Sequence, residues 1–172
     1  MGLIAEEERM TDDRLQAMLD REEIRNALIR YTRGVDRLDA GLIADLYHDD
    51  AIDHHGPFNM RGKEFAVMVV EYLRQNTPGG HQHRICNIAI ELDGDTAWSE
   101  AVLHSIHNNI GVINEFFGRY VDRFERRGGV WKVAERWVVC DFTRATPLTE
   151  HYAVGDDFIK GTRDKTDQSW QR

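Results

Sequence analysis

The chain has 172 residues, 41% of them hydrophobic, and a net charge of −8 with a pI near 5.4. That length and apolar content predict one globular domain that buries about two-thirds of its unfolded surface. The acidic balance argues against nucleic acid or an anionic membrane as partner, because both require a concentrated basic surface.

In chain order, the N-terminus Met1-Gly2-Leu3-Ile4-Ala5-Glu6-Glu7-Glu8 is acidic where a secretory signal would be basic. Residues 1–12 show no clear period and are expected to form a flexible lead-in. Thr11 then caps a helix, with Asp12 and Asp13 in its first turn. Leu15, Met18, Leu19, Ile24, Leu28, Tyr31 and Val35 continue an apolar stripe at helical spacing, as one helix or two in tandem. Gly34 costs a helix about 1 kcal/mol relative to alanine and marks an approaching end. Asp36 follows the last apolar position, either as a solvated helix-end charge or as a carboxylate facing a site. Asp39 caps a short helix carrying Leu42, Ile43, Leu46 and Tyr47.

Ala51-Ile52-Asp53-His54-His55 reads as a short strand, with Ile52 and His54 on one face and Asp53 and His55 on the other. Sharing a face with Ile52 favours His54 as the inward histidine. Residues 62–76 carry Phe65, Met68, Val69, Tyr72 and Leu73 at helical spacing and end in the breaker run Asn76-Thr77-Pro78-Gly79-Gly80. The period then changes to two. Strands are predicted over 81–92, 96–107, 112–125 and 130–143, linked by hairpins and therefore antiparallel. Residues 148–172 form a polar tail that wraps the domain, wraps a neighbouring subunit or stays loose. The result is an α+β domain over 13–147, with a curved sheet wrapped over N-terminal helices and a cavity between them.

Alternation in the first long strand puts His81, His83, Ile85, Asn87 and Ala89 on one face and Arg84, Cys86, Ile88 and Ile90 on the other. His83 is then either a satisfied surface histidine or a polar group in a partly apolar wall. His81-x-His83 can present two imidazoles to a metal, but no acidic residue follows at short spacing, and no metal is expected. In the last strand, Trp131, Val133, Trp137 and Val139 share one face, and Arg136, Cys140, Phe142 and Arg144 share the other. Arg119 and these arginines are either solvated or reach inward to bind a carboxylate or oxyanion. His104 and His107 lie on opposite faces of their strand, without a recognisable spacing. Cys86 and Cys140 are too few for a disulfide framework, and no apolar run reaches the roughly 20 residues of a membrane helix. A soluble cytoplasmic protein is expected.

Several segments together resemble one family. They are Tyr31-Thr32-Arg33-Gly34-Val35-Asp36, Leu46-Tyr47-His48-Asp49-Asp50-Ala51, His83-x-x-x-Asn87, Leu92-Asp93-Gly94-Asp95-Thr96-Ala97 and Arg119-Tyr120-x-Asp122-x-Phe124 running on to Gly128-Gly129-x-Trp131. Over about residues 15–147 the chain resembles the SnoaL-like branch of the NTF2-like (cystatin-cone) superfamily. In site pattern it is similar to scytalone dehydratase, bile-acid 7α-dehydratase and hexachlorocyclohexane dehydrochlorinase.

The resemblance implies cofactor-free elimination or isomerisation by an aspartate–histidine pair, which Asp36 and His83 match. Tyr31 matches a tyrosine five residues before the aspartate. A second tyrosine of the dehydratases falls at or beside His54, where the residue type differs. Arg144 matches an arginine after the last strand of the bile-acid enzyme, while the dehydrochlorinase's lysine near Tyr31 is absent. Tyr31, His54, Arg144 and Arg119 are therefore the expected substrate-binding residues around Asp36 and His83, with His81 at the mouth. The implied substrate is apolar and cyclic, polyketide- or steroid-like. The alternatives are a non-catalytic small (β) subunit of an aromatic-ring-hydroxylating dioxygenase and a non-catalytic small-molecule binder. Self-association into a dimer or trimer is implied by the same analogy.

Overall fold

A computed structural model of the chain describes residues 2–150 and 155–171, with side chains from residue 10 onward. Helix α1 spans Gly2–Asp36, α2 Ala40–Asp45 and α3 Gly62–Asn76. Strands β1 Tyr47–His55 and β2 Phe58–Arg61 precede α3, and β3 His81–Asp93, β4 Thr96–Asn108, β5 Val112–Arg127 and β6 Val130–Pro147 follow it. The six strands form one sheet in the order β2-β1-β6-β5-β4-β3. All neighbours are antiparallel except β1 and β6, which run parallel. The α+β cone expected from the pattern is present, and the short strand β2 with its β1 pairing and the parallel β1–β6 pair are additions to it. Among the described residues, no helix is long and apolar enough to cross a membrane.

Helix α1 begins at Gly2, so Thr11 lies inside it and not at its start. No glycine or proline interrupts residues 3–33, and Ala, Glu, Arg, Met and Leu favour the helical state throughout. Leu15, Met18 and Leu19 are exposed, and the buried stripe starts lower, at Ile24, Ala27, Leu28, Tyr31 and Val35. The helix is fastened to the sheet where Asp20 accepts from Trp131 Nε1 at 3.0 Å and from Arg126 at 3.1 Å. Gly34 does not end the helix. A Cβ there would come within 2.8 Å of Leu42 and 3.0 Å of Ile43, so its role is the close approach of α2. Asp39 caps α2 as expected, accepting from the Leu42 amide at 3.1 Å.

Two bulges overturn the expected strand faces. At Asn87, with φ of 45°, the β3–β4 register shifts between Cys86 and Ile88. An inserted residue reverses the alternation beyond it. Ile88, Ile90 and Leu92 therefore pack on the core together with Ile85, on the face that also carries His81 and His83, while Asn87 and Ala89 are exposed. In β6 the register with β5 shifts around Ala134, so Arg136 joins Trp131 and Val133 inside and Trp137 turns outward.

Residues 155–171 pack back on their own domain, while His151–Val154 of the expected tail lie outside the described residues. Arg163 donates to the Thr77 carbonyl at 2.9 Å, Lys165 pairs with Asp39, and Asp167 lies 3.7 Å from Arg37. The Trp170 ring sits 4.5 Å from the Arg33 guanidinium carbon and 3.6 Å from Lys165 Nζ. The segment is a strap across the junction of α1 and α2.

Candidate active site

Between the helices and the inner face of the sheet lies a cavity of about 90 Å³. Tyr31 and Val35 of α1, Phe65, Met68, Val69 and Leu73 of α3, and His55, His83, His107 and Tyr120 of the sheet line it. Its walls are mostly apolar, with the polar groups gathered on a few strands.

Asp36, the last residue of α1, reaches β3 across the helix end. The His83 backbone N–H and the His83 ring Nδ1–H both donate to Asp36 Oδ1, each at 2.9 Å. The bond fixes the imidazole in its Nδ1–H form and leaves Nε2 without a partner among the described residues. The His83 side chain is only 9% exposed. The two residues paired on the sequence pattern are thus adjacent, and His83 lines the cavity with Asp36 behind it.

His81 is not at a mouth. It is buried, and its Nε2–H donates to the Val35 carbonyl at 2.9 Å while Nδ1 meets the Thr77 hydroxyl at 2.8 Å. Burial is the chief reason its proton affinity falls below the ordinary histidine value. Asp36, His81 and His83 each offer a donor atom within 4.8 Å of the others. Both His81 nitrogens are already taken, so a cation there would have to displace either the Thr77 hydroxyl or the bond to Val35 that ties α1 to the sheet.

His107 is the group that the sequence reading passed over. It lines the cavity from β4, with its ring 5.5 Å from that of His83. Its Nε2 is buried and has no hydrogen-bond partner among the described residues. Burial, then the neighbouring His83 and His81, push its pKa down to about 4, so it is neutral at neutral pH. Counting from the Asp93–Thr96 end of the hairpin pairs His107 with Gln82, on the face opposite His83. The bulge at Asn87 moves the pairing to His81–His107 and brings all three imidazoles to one side. A left-handed-prone asparagine within the strand was the available signal.

Beneath the cavity is a fully buried polar floor. Arg136 holds Asp122 in a bidentate pair at 2.6 and 2.8 Å. Its guanidinium carbon lies 4.2 Å from the Tyr120 ring centroid and 4.3 Å from that of Tyr31. Burial pushes the Tyr31 hydroxyl up to about 12, against the opposing pull of Arg136. Tyr31 borders the cavity, while its hydroxyl belongs to this floor. Tyr47 donates to the buried Asp53.

The other three expected binding residues lie elsewhere. His54 is on the outer face, where its ring stacks on Trp137 and its Nε2 meets Glu135 at 3.0 Å. Asp53 and His55 point inward instead, because Tyr47, Ala51 and Asp53 are the buried positions of β1 and Ile52 is only partly covered. Arg144 is exposed and donates to Glu115 at 2.6 Å. Arg119 is held on the outer face by Asp141 and Glu100, each at 3.0 Å. Neither arginine lines the cavity.

No curated protein sequence matches the chain. Solved structures with the same fold do. A hexachlorocyclohexane dehydrochlorinase, LinA-type3 from Novosphingobium barchaimii LL02, is 23% identical, with 82% of this chain and 98% of that one covered and a TM-score of 0.70. A protein provisionally assigned as a scytalone dehydratase, from Novosphingobium aromaticivorans, is 20% identical over 84% of this chain and 97% of that one, at a TM-score of 0.68. An NTF2-like protein with a cystatin-like fold from the same species is 21% identical over 76% and 88%, at 0.70. The family description "SnoaL-like domain" matches residues 16–137, and with most of its folded length covered the chain belongs to the SnoaL-like domain family.

Proposed function

We propose that the protein is a cofactor-independent lyase, a dehydratase or related eliminase, or an isomerase, acting on an apolar cyclic substrate of polyketide or steroid type. The observation that carries this reading is the 2.9 Å bond from His83 Nδ1 to Asp36 at the edge of a mostly apolar cavity. Dehydratase and dehydrochlorinase, the names borne by two of the similar structures, both denote eliminations.

In this reading Asp36 holds the Nδ1 proton and stabilises the imidazolium that forms when Nε2 takes a proton from carbon. The carbon acid is activated by a neighbouring carbonyl or leaving group. The low polarity around it strengthens each hydrogen bond made to the developing charge. His107, kept neutral by burial, offers a hydrogen bond without competing for the proton. Met68, unbranched and adaptable, is the lining residue best suited to make room for a ring. The free, exposed Cys86 and Cys140 fit a reducing, cytoplasmic setting.

A second reading, the small non-catalytic subunit of a ring-hydroxylating dioxygenase, draws on the outer sheet face. Trp98 and Phe142 are 45% and 59% exposed there, a surface of the kind that a larger subunit covers. The same face supports self-association into a dimer or trimer.

The test is elimination from β-hydroxy ketone and chlorinated ring substrates, followed by ultraviolet absorbance of the new double bond. Asp36→Asn and His83→Ala each lower turnover by about 10²-fold or more. Near-wild-type turnover by folded His83→Ala protein defeats the proposal.

A further inference from the structure

A second aspartate–histidine couple faces the same cavity from β1. Asp53 is completely buried; its Oδ2 accepts from the Tyr47 hydroxyl, and its Oδ1 has no hydrogen-bond partner among the described residues. His55, on the same face of the strand, lines the cavity and places its Nδ1 3.4 Å from that unpartnered oxygen. The Nδ1 atom is itself buried and unpartnered. The ring lies against Phe65, with centroids 4.5 Å apart and planes 21° from parallel. Phe65 sets the plane of the imidazole, and Asp53 sets which nitrogen turns away from the cavity. Strands β1 and β3 are separated by β6, β5 and β4, so His55 and His83 approach the cavity from different sides of the sheet.

A buried carboxylate with a free oxygen favours a protonated imidazole beside it. Leaving such a couple half-formed inside a core costs free energy without return unless a bound molecule uses it. We propose that His55, backed by Asp53, is the second proton-transferring residue of the cavity, giving its proton to a departing hydroxyl while His83 removes the carbon-bound proton. This rests on the lyase reading above and divides its two half-steps between two residues.

The step balances as a β-elimination. The C–H bond breaks toward His83 Nε2 and its electron pair becomes the new double bond. The C–O bond breaks, and the departing oxygen takes the His55 Nε2 proton to leave as water. His83 ends protonated and His55 neutral, and exchange with solvent restores both. Besides Asp53 and Tyr47, the titratable groups facing His55 are Tyr31, Tyr72, Tyr120, His83 and His107.

Nuclear magnetic resonance of the full chain labelled with ¹⁵N-histidine reads the couple without any substrate. Ring ¹⁵N shifts and proton couplings report which His55 nitrogen carries hydrogen, and a hydrogen on Nδ1, directed at Asp53, is expected. Asp53→Asn is expected to change that pattern and to leave His83 in place. A His55 whose Nδ1 carries no hydrogen, or whose pattern ignores Asp53→Asn, overturns the proposal. The kinetic arm compares two substrates of one skeleton, one losing hydroxide and one losing chloride, which needs no proton. His55→Gln should slow the first about 10²-fold more than the second, while His83→Gln slows both alike. Equal slowing of both by His55→Gln overturns the proposal. Wild-type protein that eliminates neither substrate overturns the lyase reading instead, and the resonance result decides the couple by itself.

Discussion

The Nε2–H of His81 donates to the carbonyl of Val35, one residue before Asp36, at 2.9 Å. The helix end that presents the carboxylate is thereby tied to the strand that presents His83. Replacing His81 by phenylalanine keeps the bulk and deletes the tie, leaving a buried carbonyl unpaired. A loss of about 1–3 kcal/mol in urea denaturation is expected. Turnover should fall as well, because Asp36 loses its fixed placement. An unchanged stability would show that the tie carries no net energy.

Stability should depend on pH through His107. Its folded pKa, about 4, lies below the ordinary 6.5. The unfolded chain therefore binds the proton first, so no penalty exists above the unfolded pKa and the loss grows as pH falls through 6.5 toward 4. At pH 5 the cost is about 2 kcal/mol relative to neutral pH. His107→Gln should flatten that slope in urea titrations at the two pH values.

Asp122→Asn removes the charge opposite a guanidinium that is wholly buried. The expected cost is about 3–5 kcal/mol, because breaking one side of a buried pair is far worse than losing both. The double replacement Asp122→Leu with Arg136→Met should recover a large part of it. Thermal unfolding of the three proteins separates these outcomes.

Gly34→Ala sets two effects of opposite sign against each other. Alanine improves the helix by about 1 kcal/mol, but its methyl would sit 2.8 Å from Leu42 Cβ and 3.0 Å from the Ile43 backbone nitrogen. The steric term should win, with a net loss of about 1–3 kcal/mol. A more stable variant would show that α2 shifts freely.

The helices were legible because their signals are local. Phe65, Met68, Val69, Tyr72 and Leu73 outline α3, and Asp39 caps α2 where its side chain predicted. The Asp36–His83 contact came from the family resemblance rather than from spacing, since 47 residues separate the two. The strand faces were legible only up to the first bulge. Asn87 and Ala134 each insert one residue, and one residue is enough to exchange inside and outside. That single effect hid His107 and sent Arg136, read with the opposite face from Trp131, to the floor of the cavity. Sharing a face with Ile52 favours His54, but Tyr47 and the nearby charges make a buried aspartate tolerable at position 53.

Arg163 reaches back 82 positions to His81, approaching its Nδ1 within 3.3 Å. A cation this close opposes a second proton on His81 and so favours the neutral ring that holds the Val35 carbonyl. The strap thus acts on Asp36 at one remove, through the charge it places behind the ring that ties down the helix end.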